Sequence, residues 1–176
     1  MVNFTFVLSN SNDVLIESQL ELKVDSQKVW NLLSSVGHLE IVHPFCQHHS
    51  SKKWKGLGDQ DLFVFYNEKA FQRTVVDWKE GVSFTLDLKD ETDYEQIVTF
   101  KVEKSNRIGN SFISIIFRTN SYAGIIDNWD TYCEDKLVPE QQFYFGSLLK
   151  GFKHYLETGQ KVKRNLFGKH PVYSPD

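Results

Sequence analysis

From Ile16 to Val24 the side chains alternate apolar and polar, the period-two signature of a strand with one buried face, and the run 14–24 reads as that strand. Asp25 and Ser26 then supply a helix N-cap. Val29, Trp30, Leu32, Leu33 and Val36 follow at helical spacing, and Gly37 ends the turn. A second short helix fits Leu39, Glu40, Ile41 and Val42, stopping ahead of Pro44, whose ring disfavours a helical residue before it.

Beyond Pro44 the period returns to two. Residues 48–54 read as a polar strand ending at Trp54, and Gly56-Leu57-Gly58-Asp59 as a turn. Strands at 61–66 and 70–78 are joined at Asn67-Glu68-Lys69. After Gly81, Val82, Phe84, Leu86 and Leu88 share one face against Ser83, Thr85, Asp87 and Lys89 on the other, the cleanest half-buried pattern in the chain. Strands at 94–104, with Val98, Phe100 and Val102 on one face, and at 112–119 complete a series of antiparallel hairpins. Residues 120–137 keep no period and read as an excursion with a short helix near 125–129. Pro139 and Glu140 suit the first turn of a long helix. Its stripe is Phe145, Leu148, Leu149, Phe152, Tyr155, Leu156 and Val162. Each such side chain, once buried, contributes about 1.5–3 kcal/mol, so the stripe needs a covering sheet. The tail 165–176, with Gly168, Pro171 and Pro175, reads as a surface extension. With no repeat or linker, residues 1–176 form one domain with its core at about 13–163.

Composition changes this picture in one respect. Of the residues, 40% are hydrophobic and 24% charged, as in an ordinary folded chain, but the aromatic share is 14%, with 14 Phe. Rings fill cores and also line ligand cavities. The net charge of −3 offers no concentrated basic face for nucleic acid. The small basic group Lys161, Lys163 and Arg164 suits the end of the last helix. No basic segment followed by an apolar run opens the chain, and no stretch approaches a spanning helix, so the cytoplasm is the expected compartment. Two cysteines, Cys46 and Cys133, fit free thiols there; without secretion the sequon at Asn3 carries no weight.

Phosphate-cradling loops, dinucleotide fingerprints, nucleophile elbows and metalloprotease motifs are all missing from the sequence. The densest polar run is His43-Pro44-Phe45-Cys46-Gln47-His48-His49. Its imidazoles and thiol are acceptable zinc ligands, but on an extended strand Cys46 and His48 share a face and His49 points away. The plainer reading makes His43 the cap of the second helix and His48 and His49 solvated strand residues; neither metal nor cofactor is expected. Cys46 beside His43 could form a nucleophile–base pair, though Cys more often serves as a small buried hydrophobe. Arg73 alternates with Phe71, Val75 and Asp77. On an inward face it would suit an acidic head group; on an outer one it would pair Asp77 or a neighbouring acid. Arg118 poses the same question.

The order of one strand, two helices, about six strands and one long helix resembles the START-like, or Bet v 1-like, superfamily, which includes the SRPBCC and polyketide cyclase-like proteins. The resembling residues are the strand 16–24, the helix 26–36 with Trp30, the run from His43-Pro44-Phe45 to Trp54, the strand series, and the helix from Pro139 to about Val162. The resemblance implies an α+β helix-grip fold: a curved antiparallel sheet of about seven strands wrapped around the C-terminal helix, with a helical hairpin after the first strand. It also implies a cavity between sheet and helix for a small hydrophobic molecule. The candidate lining is Phe45, Trp54, Phe63, Phe65, Phe84, Leu86, Phe100, Phe117, Phe145, Leu149 and Phe152, with His43, Tyr66 and Arg73 as polar anchors. No catalytic residue is assigned. Two alternatives stand beside carriage of a ligand: a cyclase- or aromatase-like enzyme that moves protons in the cavity, and a co-chaperone-like interaction module with a filled core.

Overall fold

The computed structural model describes residues 1–8, 13–89, 96–119 and 126–175. Eight strands form one antiparallel sheet: β1 (Asn3–Leu8), β2 (Val14–Leu22), β3 (Cys46–Ser51), β4 (Gln60–Phe65), β5 (Ala70–Lys79), β6 (Ser83–Lys89), β7 (Gln96–Lys104) and β8 (Ser111–Thr119). Their spatial order is β1-β2-β8-β7-β6-β5-β4-β3, so β3 to β8 meander and β2 closes against the last of them. Between β2 and β3 lie α1 (Ser26–Leu33) and α2 (His38–Val42). Asp25 caps α1 by accepting from the Lys28 N–H, as its position ahead of the apolar stripe requires. Gly37, at φ 72°, makes the left-handed link between the helices that a side chain would resist.

The sheet wraps because two strands carry an extra residue, β3 between Cys46 and His48 and β5 between Val75 and Asp77. Such bulges bend a strand and raise its twist. The concave face receives the long helix α4 (Val138–Thr158), which buries Phe145, Leu148, Leu149, Phe152 and Leu156. At Gly151 the helix crosses α2 so closely that a β-carbon would collide with the Val42 carbonyl.

The sheet has eight strands where the sequence suggested about seven. The additional strand, β1, pairs with β2 along the edge; Phe6 and Val7 lie exposed, so it carries no alternation. β3 begins and ends earlier than the expected 48–54, and Trp54 lies past its end, with its indole N–H donating to the Leu33 carbonyl at 3.0 Å. The last helix does not start at Pro139. It runs on from α3 (Trp129–Tyr132) through a π-helical turn (Cys133–Leu137) into α4. Pro139 lacks the N–H that would bond to the carbonyl four residues back, and the widened turn accommodates its ring. The expected excursion at 120–125 and the start of the 94–104 strand lie outside the described residues.

The tail departs from the expected surface extension. The Val162 N–H donates to the Ile41 carbonyl at 2.9 Å, and the Asn165 N–H to the Pro44 carbonyl at 3.1 Å. Val162, expected on the helical stripe, is buried but lies beyond the helix end at Thr158. Lys161, Lys163 and Arg164 likewise follow the helix, and Arg164 donates to Ser174 Oγ at 3.1 Å. His170 and Ser174 form an isolated bridge and are both buried; Tyr173 stacks on Phe65 with centroids 4.1 Å apart. Packing of rings onto the end of β4 holds this segment, and no periodic pattern announces it.

Candidate functional site

The inward faces of β3, β4 and β5 bring a charged group into an otherwise apolar interior. On β4 the alternation places Asp61, Phe63 and Phe65 inward, and on β5 it does the same for Phe71, Arg73 and Val75. Asp61 and Arg73 stand directly opposite in the register. Arg73 donates its Nε–H to Asp61 Oδ1 at 2.8 Å and an Nη2–H to Oδ2, a bidentate ion pair. Burial alone would raise the Asp61 carboxyl, but the Arg73 charge and the hydrogen bonds from His49 and Arg73 outweigh it and hold the group at about 2. Arg73 therefore combines both sequence alternatives: it faces inward, and a neighbouring acid, Asp61 and not Asp77, already occupies it.

His49 joins this pair, contrary to its expected exposure. The bulge in β3 moves the inward position from His48 to His49, so Cys46 and His49 are buried while His48 lies outside against Glu40 at 2.7 Å. The Leu39 N–H donates to His49 Nδ1 at 3.3 Å, which leaves the proton on Nε2, donating to Asp61 Oδ2 at 2.7 Å. Burial lowers the His49 pKa despite that carboxylate, so the contact is a neutral donor on a charged acceptor. His38 packs edge-on to His49 at 5.1 Å and donates from Nδ1 to the Ser35 carbonyl at 2.8 Å. Burial, reinforced by His49, pushes it down to about 3.

The second polar pair joins the end of α2 to α4. The Phe45 N–H donates to His43 Nδ1 at 3.1 Å, fixing the proton on Nε2, which donates to the Tyr144 hydroxyl oxygen at 2.9 Å. Burial holds His43 well below its ordinary range, with the nearby Arg73 charge adding to the effect, and holds the Tyr144 phenol well above its own. Both are neutral. Among the described residues the Tyr144 hydroxyl has no further partner, and its proton is uncommitted.

Between these pairs, the sheet and α4 lies a cavity of about 60 Å3. It is less than half the roughly 150 Å3 that admits benzene in an engineered core. Of the residues expected to line it, His43, Phe63, Phe65, Arg73, Phe100, Phe117 and Phe145 do so. Phe45, Trp54, Phe84, Leu86, Leu149 and Phe152 are buried elsewhere in the core, and Tyr66 is half-buried under the Arg164 guanidinium, 4.5 Å from its ring. The sequence reading missed Leu39, Phe71, Val98, Tyr144, Leu148 and Tyr173 as lining residues, along with half-buried Leu88, Gln96 and Gln141. Tyr144 and Leu148 lie one helical turn apart, and that spacing was the available signal.

Among the described residues no three His, Cys, Asp or Glu side chains converge as metal ligands. Burial pushes the Cys46 thiol up to about 12, which leaves no thiolate for attack. Arg118 keeps its head exposed, 3.5 Å from Asp13.

No family model and no curated protein matches the sequence. Solved structures do match in shape. A START superfamily protein from Mycobacterium smegmatis superposes with a TM-score of 0.64 at 9% identity, over 83% of this chain and 99% of that one. Protein XoxI from Bacillus cereus gives 0.67 at 8%, over 82% and 96%. CalU16 from Micromonospora echinospora gives 0.61 at 8%, over 92% and 86%. With identity this low the likeness is one of architecture, and it agrees with the wrapped eight-stranded sheet and the long C-terminal helix: the chain has the START-like, or Bet v 1-like, fold.

Proposed function

We propose that this protein binds a small, mostly apolar molecule in the cavity between the sheet and α4. The observation that carries the reading is an apolar hollow with an uncommitted hydroxyl proton on its wall, in a fold whose sheet encloses its last helix. Burial of ligand surface drives association and the polar wall orients the guest.

A ring cannot enter a space of about 60 Å3 unless a wall yields. The wall that belongs to neither the sheet nor a helix is Tyr173, which stacks on Phe65, contacts the Tyr144 and His170 rings and donates its backbone N–H to His170 Nδ1 at 3.2 Å. Outward displacement of residues 170–175 enlarges the hollow without disturbing a strand. The enzyme alternative draws less support. His43 and Tyr144 face the cavity, but their shifts keep both neutral, which suits fixed dipoles better than groups exchanging protons. Native mass spectrometry of freshly purified protein tests the proposal, with a co-purified small molecule as the expected result. A bare mass, together with no response to any added apolar ring compound, returns the filled-core interaction module to first place.

The described residues hold no helix long and apolar enough to cross a membrane.

A further inference from the structure

Resting on the binding reading above, we propose that the cavity selects neutral ligands bearing a hydrogen-bond acceptor, such as a ketone, ester or ether oxygen on an apolar body. Tyr144 recognises that oxygen, and carboxylic acids are disfavoured.

The Phe45 N–H fixes the His43 tautomer, so His43 must donate to the Tyr144 oxygen and has no nitrogen left over. Tyr144 therefore accepts from His43 and keeps its own proton to give toward the hollow. Arg73 also has only protons to offer: its Nε and Nη2 are committed to Asp61, and its Nη1 has no partner among the described residues. Tyr144 and Arg73 thus each bring an uncommitted N–H or O–H to the wall, beside the Tyr173 ring and the half-buried amides of Gln96 and Gln141. A guest oxygen that accepts satisfies those protons, and one with no hydrogen of its own to place among the surrounding rings does so at no further cost.

Charge decides against acids. The interior already balances one guanidinium with one carboxylate, and His38, His43 and His49 all have their pKa values lowered, which favours their neutral forms. A ligand carboxylate would be a third, uncompensated charge, and desolvating it is expensive. Of the two roles the sequence left open for Arg73, ligand-acid anchor or partner of a protein acid, the pair with Asp61 supports the second.

Three probes with the same ring separate the possibilities: acetophenone, ethylbenzene and benzoate, titrated into the 15N-labelled full chain. The expected order is acetophenone tightest, ethylbenzene roughly fivefold weaker for want of one neutral hydrogen bond, and benzoate weakest. Tyr144→Phe should remove the preference for the ketone over the hydrocarbon. Should that variant fail to fold, the infrared carbonyl stretch of 13C-labelled acetophenone bound to the unaltered protein decides. A shift below its value in hexane supports the proposal, and an unshifted band overturns it. Equal affinities, or benzoate binding tightest, overturn the selectivity while leaving ligand binding intact. If none of the three binds, the binding reading itself falls, and this inference with it.

Discussion

The interior has two ends built from the same residue types with opposite results. At one end Trp30, Trp54, Trp78 and Phe84 fill the space: Trp30 meets Trp78 edge-on at 5.2 Å, Trp78 stacks on Phe84 at 5.5 Å, and Trp54 meets Phe84 at 5.6 Å. Every indole N–H there has an acceptor, Glu80 for Trp30 and Trp78 and the Leu33 carbonyl for Trp54. At the other end Phe65, Phe117, Phe145 and Tyr144 surround a void, and a hydroxyl proton is left over. The difference lies in what covers the sheet. Helix α1 packs over β7 and β8 and presses Trp30 onto the first end, while the second is closed by α4 and the ring of Tyr173. Rings alone do not make a cavity; a missing layer does.

Acid should have the largest effect, because four imidazoles are buried, His43 on the wall of the hollow and His38 and His49 between it and Trp54. His38 and His170 are lowered to about 3 and about 4, and His43 and His49 are lowered as well, all chiefly by burial. Below about pH 6.5 the unfolded chain takes up protons that the folded one refuses, so each group removes up to about 1.4 kcal/mol of stability per pH unit. Asp61, held at about 2, adds a further loss as pH falls from about 4 toward that value. Urea midpoints should therefore fall steadily from pH 7 to pH 5; a flat profile would show these imidazoles to be solvated.

The next largest effect concerns the ion pair. Asp61→Ala leaves the buried Arg73 unpaired and should cost about 3–5 kcal/mol in urea denaturation. Adding Arg73→Met should recover much of it, because an apolar replacement of a buried pair is often neutral. A loss below about 1 kcal/mol would mean that the guanidinium reaches water without its partner.

The smallest effect is that of one added methylene at each end of the interior. Val29 is fully buried on α1, so Val29→Leu should overpack its site and cost about 1–3 kcal/mol. Val98 faces the void, so Val98→Leu should stay within about 0.5 kcal/mol of the parent and weaken ligand uptake. Thermal melts of the two variants side by side check this. Equal losses would mean that the void is not available space.

Much of this architecture could be read from alternation and capping: β2 and β6 from period two, the start of α1 from Asp25, and the α4 stripe from helical spacing, whereas α1 stops at Leu33, short of the expected Gly37, and leaves Val36 exposed. What escaped had no period. β1 is exposed at an edge, the helical start at Trp129 is disguised by a π turn before Pro139, and the tail is held by scattered ring contacts and hydrogen bonds. At the site, one bulged residue reversed the sides of His48 and His49, which counting by twos could not foresee. Asp61 was hidden for a related reason: an acid on a strand reads as solvent-facing until its cross-strand partner is known.

The Tyr173–Phe65 stack carries a kinetic consequence. Residues 170–175 are held by that stack and by hydrogen bonds from Asn67 to the Val172 carbonyl and from Arg164 to Ser174 Oγ and the Pro175 carbonyl, none of them part of the sheet ladder, so for the proposed ligand the release of this segment would be the quickest way in and out. The dwell time of such a guest would then be governed by the 170–175 segment and not by breathing of the sheet, so loosening that segment would alter the exchange rate before it altered the affinity.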